Sequence, residues 1–448
     1  MLSTFFGLNT ALSGILAQQR SLDITAHNVA NANTVGYSRQ EATLVASPAF
    51  SYPSVSGSGI TGQIGAGVTV EQYKRVRDMF VDVQLRAQTM RQGYYEATSN
   101  GLDQVELSLA EPGDTGLSAL MTKFFDAWGD VSNAPENLAT RQSLAQAATA
   151  LTEGFHTLDN QLDVIGTQSG DQLTLDLNEI NQIGSQIGDL NVRIANTVAT
   201  GDAPNDLLDQ RDVLVDRLAE LGNVSVTTGA LGAIDVNFAG AALVTGTTGT
   251  TTVAESDLTS LTSGKLAGLV ALRDTTIPAY RATLDSIAAS LVGQTNTFHA
   301  GGFDLAGTAG GAFFTAGGTT AATISLSSAI ASNPALIAAS GASGAPGNAS
   351  VALQVAGLRD NATIGVAYRQ LVTRVGSETQ ESHRSLSNAE LLANALRDRR
   401  DGVSGVSLDE EMTNLTRYQR GFQASARALN AMDEMIDQLV NRTGRVGL

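Results

Sequence analysis

Both ends of this chain carry a seven-residue apolar repeat, and no other feature restricts the fold as much. Near the N-terminus Phe5, Leu8, Leu12, Ile15, Gln19, Leu22, Ala26 and Val29 alternate at spacings of three and four. That spacing draws one stripe down a helix, with Gln19 as its one polar seat. Near the C-terminus Leu408, Leu415, Phe422, Leu429 and Ile436 recur every seventh residue, with Tyr418, Ser425, Met432 and Leu439 between them. Ser407-Leu-Asp-Glu410 reads as a capping box opening that last helix. A single apolar stripe cannot stay in water, so the two ends are expected to pair. At 1.5 Å per residue the first helix is about 40 Å long and the last about 50 Å. Leu16, Met412, Ala426 and Val440 fall beside the stripe. A pair of helices leaves that flank open to further neighbours, and a head-to-tail contact that does not close makes a helical polymer.

Between the ends the pattern is helical, then stranded, then helical again. The first helix is expected to fail at Asn31–Gly36, where Asn and Gly favour turns. Thr43–Tyr73, rich in Ser, Gly and Val, reads as an extended, partly stranded linker. Heptads return from Val76 through Phe80, Val83, Ala87, Met90, Tyr94 and Ala97 and stop near Glu111-Pro-Gly113. Asn133-Ala-Pro-Glu136 opens a long helix, with a break or bend expected around glycines 166, 170, 184 and 188. A short helix spans Asn205–Leu221. Val224–Val253 alternates and is rich in Thr, Gly and Val, as short strands are. Helix returns from Pro278 to about Phe298 and again from Asn361 to Asp401, while Leu305–Leu358 has no charged residue and reads as part strand, part loop.

The expected fold is therefore mainly α. It is a long-helix bundle with the N- and C-terminal helices paired as a coiled coil, plus an inserted small β-rich domain. The expected division assigns 1–40 and 405–448 to a terminal assembly domain and 41–222 and 360–404, with 264–300, to the helical bundle. Residues 223–263 and 301–359 fall to the β-rich insertion, placed outermost.

Composition excludes several classes of function. The net charge is −17 and only three residues are lysine, so phosphate neutralisation and anionic membrane surfaces are poor matches. No run of 18 apolar residues exists to cross a membrane. Cysteine is absent, which removes disulfides, thiolate metal sites and a Cys nucleophile. Met1–Thr10 has no basic segment, so export, if it occurs, is expected without a cleaved signal peptide.

Catalytic signals are decoys. Gly57-Ser-Gly-Ile-Thr-Gly62 matches a dinucleotide fingerprint, but a strand-like Val68-Thr-Val70 follows it where a helix is needed. His27, His156, His299 and His383 form no metal-ligand spacing. Asp209 and Asp212, flanked by Arg211, read as a solvated helical face with local ion pairs. Lys123-Phe-Phe-Asp-Ala-Trp128 reads as core. No catalytic residue, metal site or cofactor is expected.

Leu8–Arg39 resembles the N-terminal signature of the bacterial flagellar axial proteins, the family of rod, hook and hook-associated subunits. The residues that carry it include Asn28, Asn31, Asn33, Thr34, Gly36 and Tyr37. Ser404–Val440, with Leu408-Asp-Glu-Glu411 and Tyr418–Arg427, resembles the C-terminal helix of the hook-associated members at the hook–filament junction. Asn205–Asp212, Gly264–Leu269 and Phe124–Trp128 are also similar to them. The chain is short for such a protein, which implies a reduced or missing outer domain. The resemblance implies an extracellular structural subunit of the flagellum, exported by the flagellar type III route and self-assembling between hook and filament. Its implied assembly interface is Phe5, Leu8, Leu12, Ile15, Leu22 and Val29 with Leu408, Leu415, Tyr418, Phe422, Leu429, Met432, Ile436 and Leu439. The implied partners are further copies, the hook protein, hook-associated protein 3 and an export chaperone on the C-terminal helix. Neither nucleic acid nor membrane insertion is expected. The alternatives are another axial protein (hook-associated protein 3 or a hook-like subunit) or, in another class, a secreted helical binding or adhesive protein.

Overall fold

The computed structural model describes residues 5–51 and 63–442. The Gly57–Gly62 motif lies outside them. Helix α1 (Phe6–Ala30) ends in turns over residues 31–36. Strand β1 (Gln40–Ala46) then pairs antiparallel with β4 (Val68–Arg75), Gln40 opposite Arg75 and Ala46 opposite Val68. Short strands β2 (Phe50–Ser51) and β3 (Gln63–Ile64) pair beyond it. The expected linker is thus a β-ribbon, and it lies on α1. The Val68 amide donates to Ser13 Oγ at 3.3 Å, and Arg20 donates to the Tyr73 hydroxyl at 3.0 Å. Strand pairing satisfies backbone groups that a free linker leaves to water.

Helices α2 (Met79–Leu109), α3 (Leu117–Asn133), α4 (Leu138–Ala199) and α5 (Asn205–Leu221) follow. Asp78 caps α2, accepting from the Phe80 and Val81 amides, and Asn137 caps α4, accepting from the Ala139 amide. The expected break in α4 does not occur: it runs 62 residues without interruption. Neighbours fill the space beside its glycines. A Cβ at Gly184 would stand 2.7 Å from Leu243, so this glycine admits a close contact rather than a bend.

Strands β5 (Val224–Thr228), β6 (Ile234–Phe238), β7 (Ala241–Thr245) and β8 (Gly249–Thr250) form an antiparallel meander in sequence order. Helix α6 (Lys265–Ala271) passes through a π-turn over Leu272–Thr276 into α7 (Ile277–Ala300). Two short helices, α8 (Ser328–Ser332) and α9 (Ser350–Ala356), precede α10 (Gly365–Ser404) and α11 (Leu408–Asp437).

Residues 301–359, read from sequence as β-rich, hold no strand among the described residues. They make three isolated bridges and the two short helices. Their Phe313, Phe314, Ile324, Ile330 and Ile337 enter the core around Trp128, Phe124, Leu151 and Tyr368. Scattered anchors, not alternation, organise the segment, so it wraps the helices and pairs with itself only at those bridges. The sheet belongs to a second core, where Val236, Phe238 and Leu243 meet Ile180, Ile183 and Ile187 of α4. One helix therefore serves both cores: its first half the aromatic one, its second half the sheet.

Candidate assembly interface

Helices α1 and α11 run antiparallel. A Cβ built at Gly7 would lie 2.9 Å from Met432, one at Gly14 2.9 Å from Ser425, and one at Gly421 2.9 Å from Gln18. Asn28 meets Glu411 in the same register. The face of α1 turned to its partner thus runs through Gly7, Gly14, Gln18 and Asn28. It lies one residue before the expected stripe, a rotation of about 100°. The two α1 glycines let the helices approach closely, and larger side chains at these seats would hold them apart.

Most of the sequence-derived interface residues accordingly take flank positions, while Met432 packs against Gly7 at the contact itself. Leu8, Ile15, Leu22 and Val29 are half-buried, Leu12 is 42% exposed and Phe5 55%. On α11, Leu415, Tyr418, Phe422, Leu429, Met432 and Ile436 are half-buried, while Leu408 and Leu439 are exposed. Leu16, Met412 and Val440, expected beside the stripe, are also exposed, and Ala426 is half-buried. Two antiparallel right-handed helices place equal angular offsets from their contact on one side. By that rule Leu8, Leu12 and Ile15 of α1 share a side of the hairpin with Leu415 and Phe422 of α11. The result is one apolar flank about 24 Å long, at 1.5 Å per residue.

At its base the hairpin is fixed to the bundle by a polar joint. Asn28, buried at the end of α1, uses its whole amide. Its Oδ1 accepts from the Tyr37 hydroxyl at 2.7 Å and the Gln40 amide at 3.0 Å. Its Nδ2 donates to the Gln40 carbonyl at 2.9 Å and Glu411 Oε2 at 3.2 Å. One side chain thus ties α1, its following loop, β1 and α11. Burial, with Asp206, Asp209 and Glu411 nearby, pushes the Tyr37 phenol well above its ordinary value, so it stays a donor. It accepts in turn from His27 Nδ1 at 2.9 Å. Gly36 has φ +79°, and a Cβ there would stand 2.1 Å from Val213; only glycine fits this turn. Asn31 donates to the His27 carbonyl and accepts from Thr34. Asn33 is exposed.

The expected capping box is half-made. Ser407 Oγ accepts from the Glu410 amide at 3.5 Å, but the Glu410 carboxylate goes to Arg39. Arg39 bridges Glu410 and Glu411, each at 2.9 Å, so its charge is answered across the joint. Asp209 and Asp212 are likewise not a solvated face. Asp209 is 5% exposed, accepts from the Ser38 amide and hydroxyl at 2.9 and 2.7 Å, and pairs with Arg75 at 2.7 Å. Asp212 lies 2.8 Å from Arg75 and 2.6 Å from Arg77. Burial works to raise the Asp212 carboxyl, but the Arg77, Arg75 and Arg86 cations outweigh it and hold it below the usual range. Arg211, adjacent in sequence, turns away to Asn191 and the Gly232 carbonyl. The acidic residues were visible in the sequence; their cations stand more than a hundred positions away, where no local window pairs them.

Among the described residues no cluster of His, Asp and Glu could hold a metal ion, and no helix is long and apolar enough to cross a membrane. A cleft of about 660 Å³ lies between the Thr34–Tyr37 turn and α4 and α5, with His27, Asp206 and Arg193 in its wall. In its wall the Tyr37 hydroxyl bonds His27, whose Nε2 lies 3.7 Å from Asp206, and donates its own proton to Asn28.

A family model described as the flagellar hook-associated protein FlgK helical domain matches residues 102–314. A flagella basal body rod protein model matches residues 8–37, and a flagellar basal body rod FlgEFG protein C-terminal model matches 402–442. These two fall on the two arms of the hairpin. The chain is 30% identical to flagellar hook-associated protein 1 of Bacillus subtilis, over 99% of each chain. It is 26% identical to the proteins of that name from Escherichia coli and Salmonella typhimurium, over 97% of this chain and 99% of theirs. A solved structure, the flagellar hook junction protein FlgK from Burkholderia pseudomallei, shares 27% identity with a TM-score of 0.47, over 52% of this chain and 46% of that one.

Proposed function

This chain belongs to the flagellar hook-associated protein 1 family, and we propose that it is a structural subunit built into the flagellum at the junction between hook and filament. The observation that carries this reading is the apolar flank of the α1–α11 hairpin. Leu12, Leu16, Leu408 and Met412 are 42–55% exposed on helices that already have each other, so what remains uncovered suits other subunits. Residues 1–40 and 405–448 act as the assembly domain. Residues 41–222 and 360–404, with 264–300, form the supporting bundle, and the sheet within 223–263 faces outward. The hook protein and hook-associated protein 3 are the neighbours on either side. An export chaperone covers α11 until assembly, and the subunit reaches its extracellular place through the flagellar export channel.

Leu415→Asp and Phe422→Asp test the reading. Either puts a carboxylate on the flank, where burial without a partner costs several kcal/mol in every subunit contact. Both variants are expected to fold their central bundle, seen by an unchanged near-ultraviolet spectrum from Trp128, and to leave hooks without filaments. Normal filaments assembled from either variant would sink the proposal.

A further inference from the structure

Helices α2 and α10 form the longest antiparallel pair in the bundle, and the groove along one side of them is only half filled. The pair is fixed by Gln88 donating to the Ala389 carbonyl, Thr98 bonded to Ser382, and Ser99 bonded to His383. In the upper half α7 fills the groove: Tyr280 bonds Glu378 of α10, and Leu102 and Val105 of α2 lie in the aromatic core. The layer of α6 ends where the Gly264 amide donates to the Met90 carbonyl. Below that point α5 braces the opposite side of the pair, through Asp216 bonded to Arg86 and Arg400.

The lower groove holds nothing among the described residues, yet its lining is apolar. Counted from the paired positions at 100° per residue, Phe80 and Val83 of α2 and Leu392 and Leu396 of α10 point to its side. Phe80 is 65% exposed, Val83 63% and Leu392 55%, and Leu396 is half-buried. Its rim carries Arg91 and Arg399, both exposed and neither paired with a carboxylate among the described residues. The Phe80–Arg91 stretch of the trough is about 17 Å long at 1.5 Å per residue. That length accommodates about three turns of a third helix, in continuation of the layer that α6 and α7 supply above.

We infer that this trough is a docking surface for a second copy of this chain, which lays an acidic, partly apolar helix between α2 and α10. The inference rests on the assembly reading above and adds a contact made by the bundle itself. Charge selects the occupant. Each copy carries a net −17, so two copies repel unless a contact brings cations to carboxylates. The trough offers an apolar floor between two unanswered guanidiniums, the complement of an acidic copy. Its lower end adjoins the base of the hairpin: the Arg39 amide there donates to the Ser404 carbonyl at the end of α10, and the Arg39 carbonyl accepts from the Val76 amide just before α2.

The chain has no cysteine, so Val83→Cys places one thiol in the trough and Thr227→Cys, on the exposed side of the sheet, serves as the reference. Maleimide labelling compares the purified free chain with intact flagella from cells expressing each variant. The expected result is that Val83→Cys labels about tenfold or more slowly in flagella than in the free chain, while Thr227→Cys does not slow. A thiol-anchored photo-crosslinker at Val83→Cys is expected to give a band of twice the chain mass. Equal labelling of Val83→Cys in flagella and free chain overturns the trough as an interface and leaves the structural function standing. A crosslink only to a different flagellar protein overturns the second copy as occupant. Normal filaments in a strain lacking the chain would instead remove the assembly reading, a result the thiol measurement cannot imitate.

Discussion

The terminal hairpin and the central bundle are both built of long helices, but only the bundle covers its own large side chains. In the bundle Trp128, Phe124, Leu144, Leu151 and Phe155 are completely buried. In the hairpin the buried residues of α1 are Ala11, Ala17, Ser21, Thr25 and Asn28, and α11 buries only Glu411. The larger apolar residues stay on the flank. Burial of a large aliphatic or aromatic side chain contributes about 1.5–3 kcal/mol. The bundle gains that many times within one chain, whereas the hairpin, on the proposed assembly, gains most of it from neighbours. A subunit so divided has a finished part and an unfinished part, and the proposed function assigns polymer growth to the unfinished one.

Hydrogen exchange gives the widest separation of the two regions. In the free chain, amides across Leu144–Ile165 should exchange only through global unfolding, with an opening cost of order 5–15 kcal/mol. Those of Leu8–Val29 and Leu408–Leu439 should open locally at far smaller cost, because isolated helical hairpins are marginal in water. Equal protection of both regions in dilute monomer would falsify the division. A smaller contrast should appear in truncations. Leu151→Ala is expected to cost about 2–5 kcal/mol in chemical denaturation, and Leu415→Ala less than about 1 kcal/mol in the same monomer. Asn28→Ala sharpens the picture at the joint. It strips partners from Tyr37, Gln40 and Glu411, at about 1–3 kcal/mol for each buried group left unanswered. Faster exchange confined to the two terminal helices is the outcome that locates its role.

The two regions should also respond to acid in different windows. His299 is fully buried, Nε2 accepting from the Ala338 amide at 2.8 Å and Nδ1 donating to the Gly311 carbonyl at 2.7 Å. Burial holds its pKa below the ordinary 6.5. The unfolded chain therefore binds this proton first, so the bundle loses stability as pH falls below about 6.5. Asp212 at the joint is also depressed, from an ordinary 3.8, so its contribution is present above that value and fades as pH falls further. Denaturation midpoints should decline as pH falls below about 6.5 in the parent and stay level there in His299→Gln, with the joint yielding only below about pH 4.

Much of this arrangement was legible in the residues. The helix Asn205–Leu221 has the bounds its pattern predicts, the strands of 224–250 follow their alternation, and the terminal helices pair as their repeats require. What the repeat could not say is which of its faces meets the partner. A seven-residue period is shared by every stripe along a helix, and the largest residues were assigned to the contact. On α1 Gly7 and Gly14 take it instead, since close approach favours the small face, and its large residues pass to the flank, whereas on α11 Met432 keeps the contact. The same displacement recurs in α2, where Phe80 and Val83 head an expected seam yet stand outside while Val81 and Leu85 are buried. The ionic joint was illegible for another reason. Asp209 and Arg75 are 134 positions apart, and only tertiary structure makes them neighbours. The sheet also proved less separable than its composition suggested. Leu243 fills the space beside Gly184, and Ile183 and Ile187 lie beneath the strands, so excising residues 224–253 should uncover that core and cost soluble protein.

The uninterrupted α4 has a mechanical consequence. At 1.5 Å per residue its 62 residues make a strut about 93 Å long, clamped by the aromatic core along one half and by the sheet along the other. Two bodies joined by a loop would pivot under load; two bodies built onto one rod must bend the rod. Torque delivered to either end is therefore carried to the other with little slack.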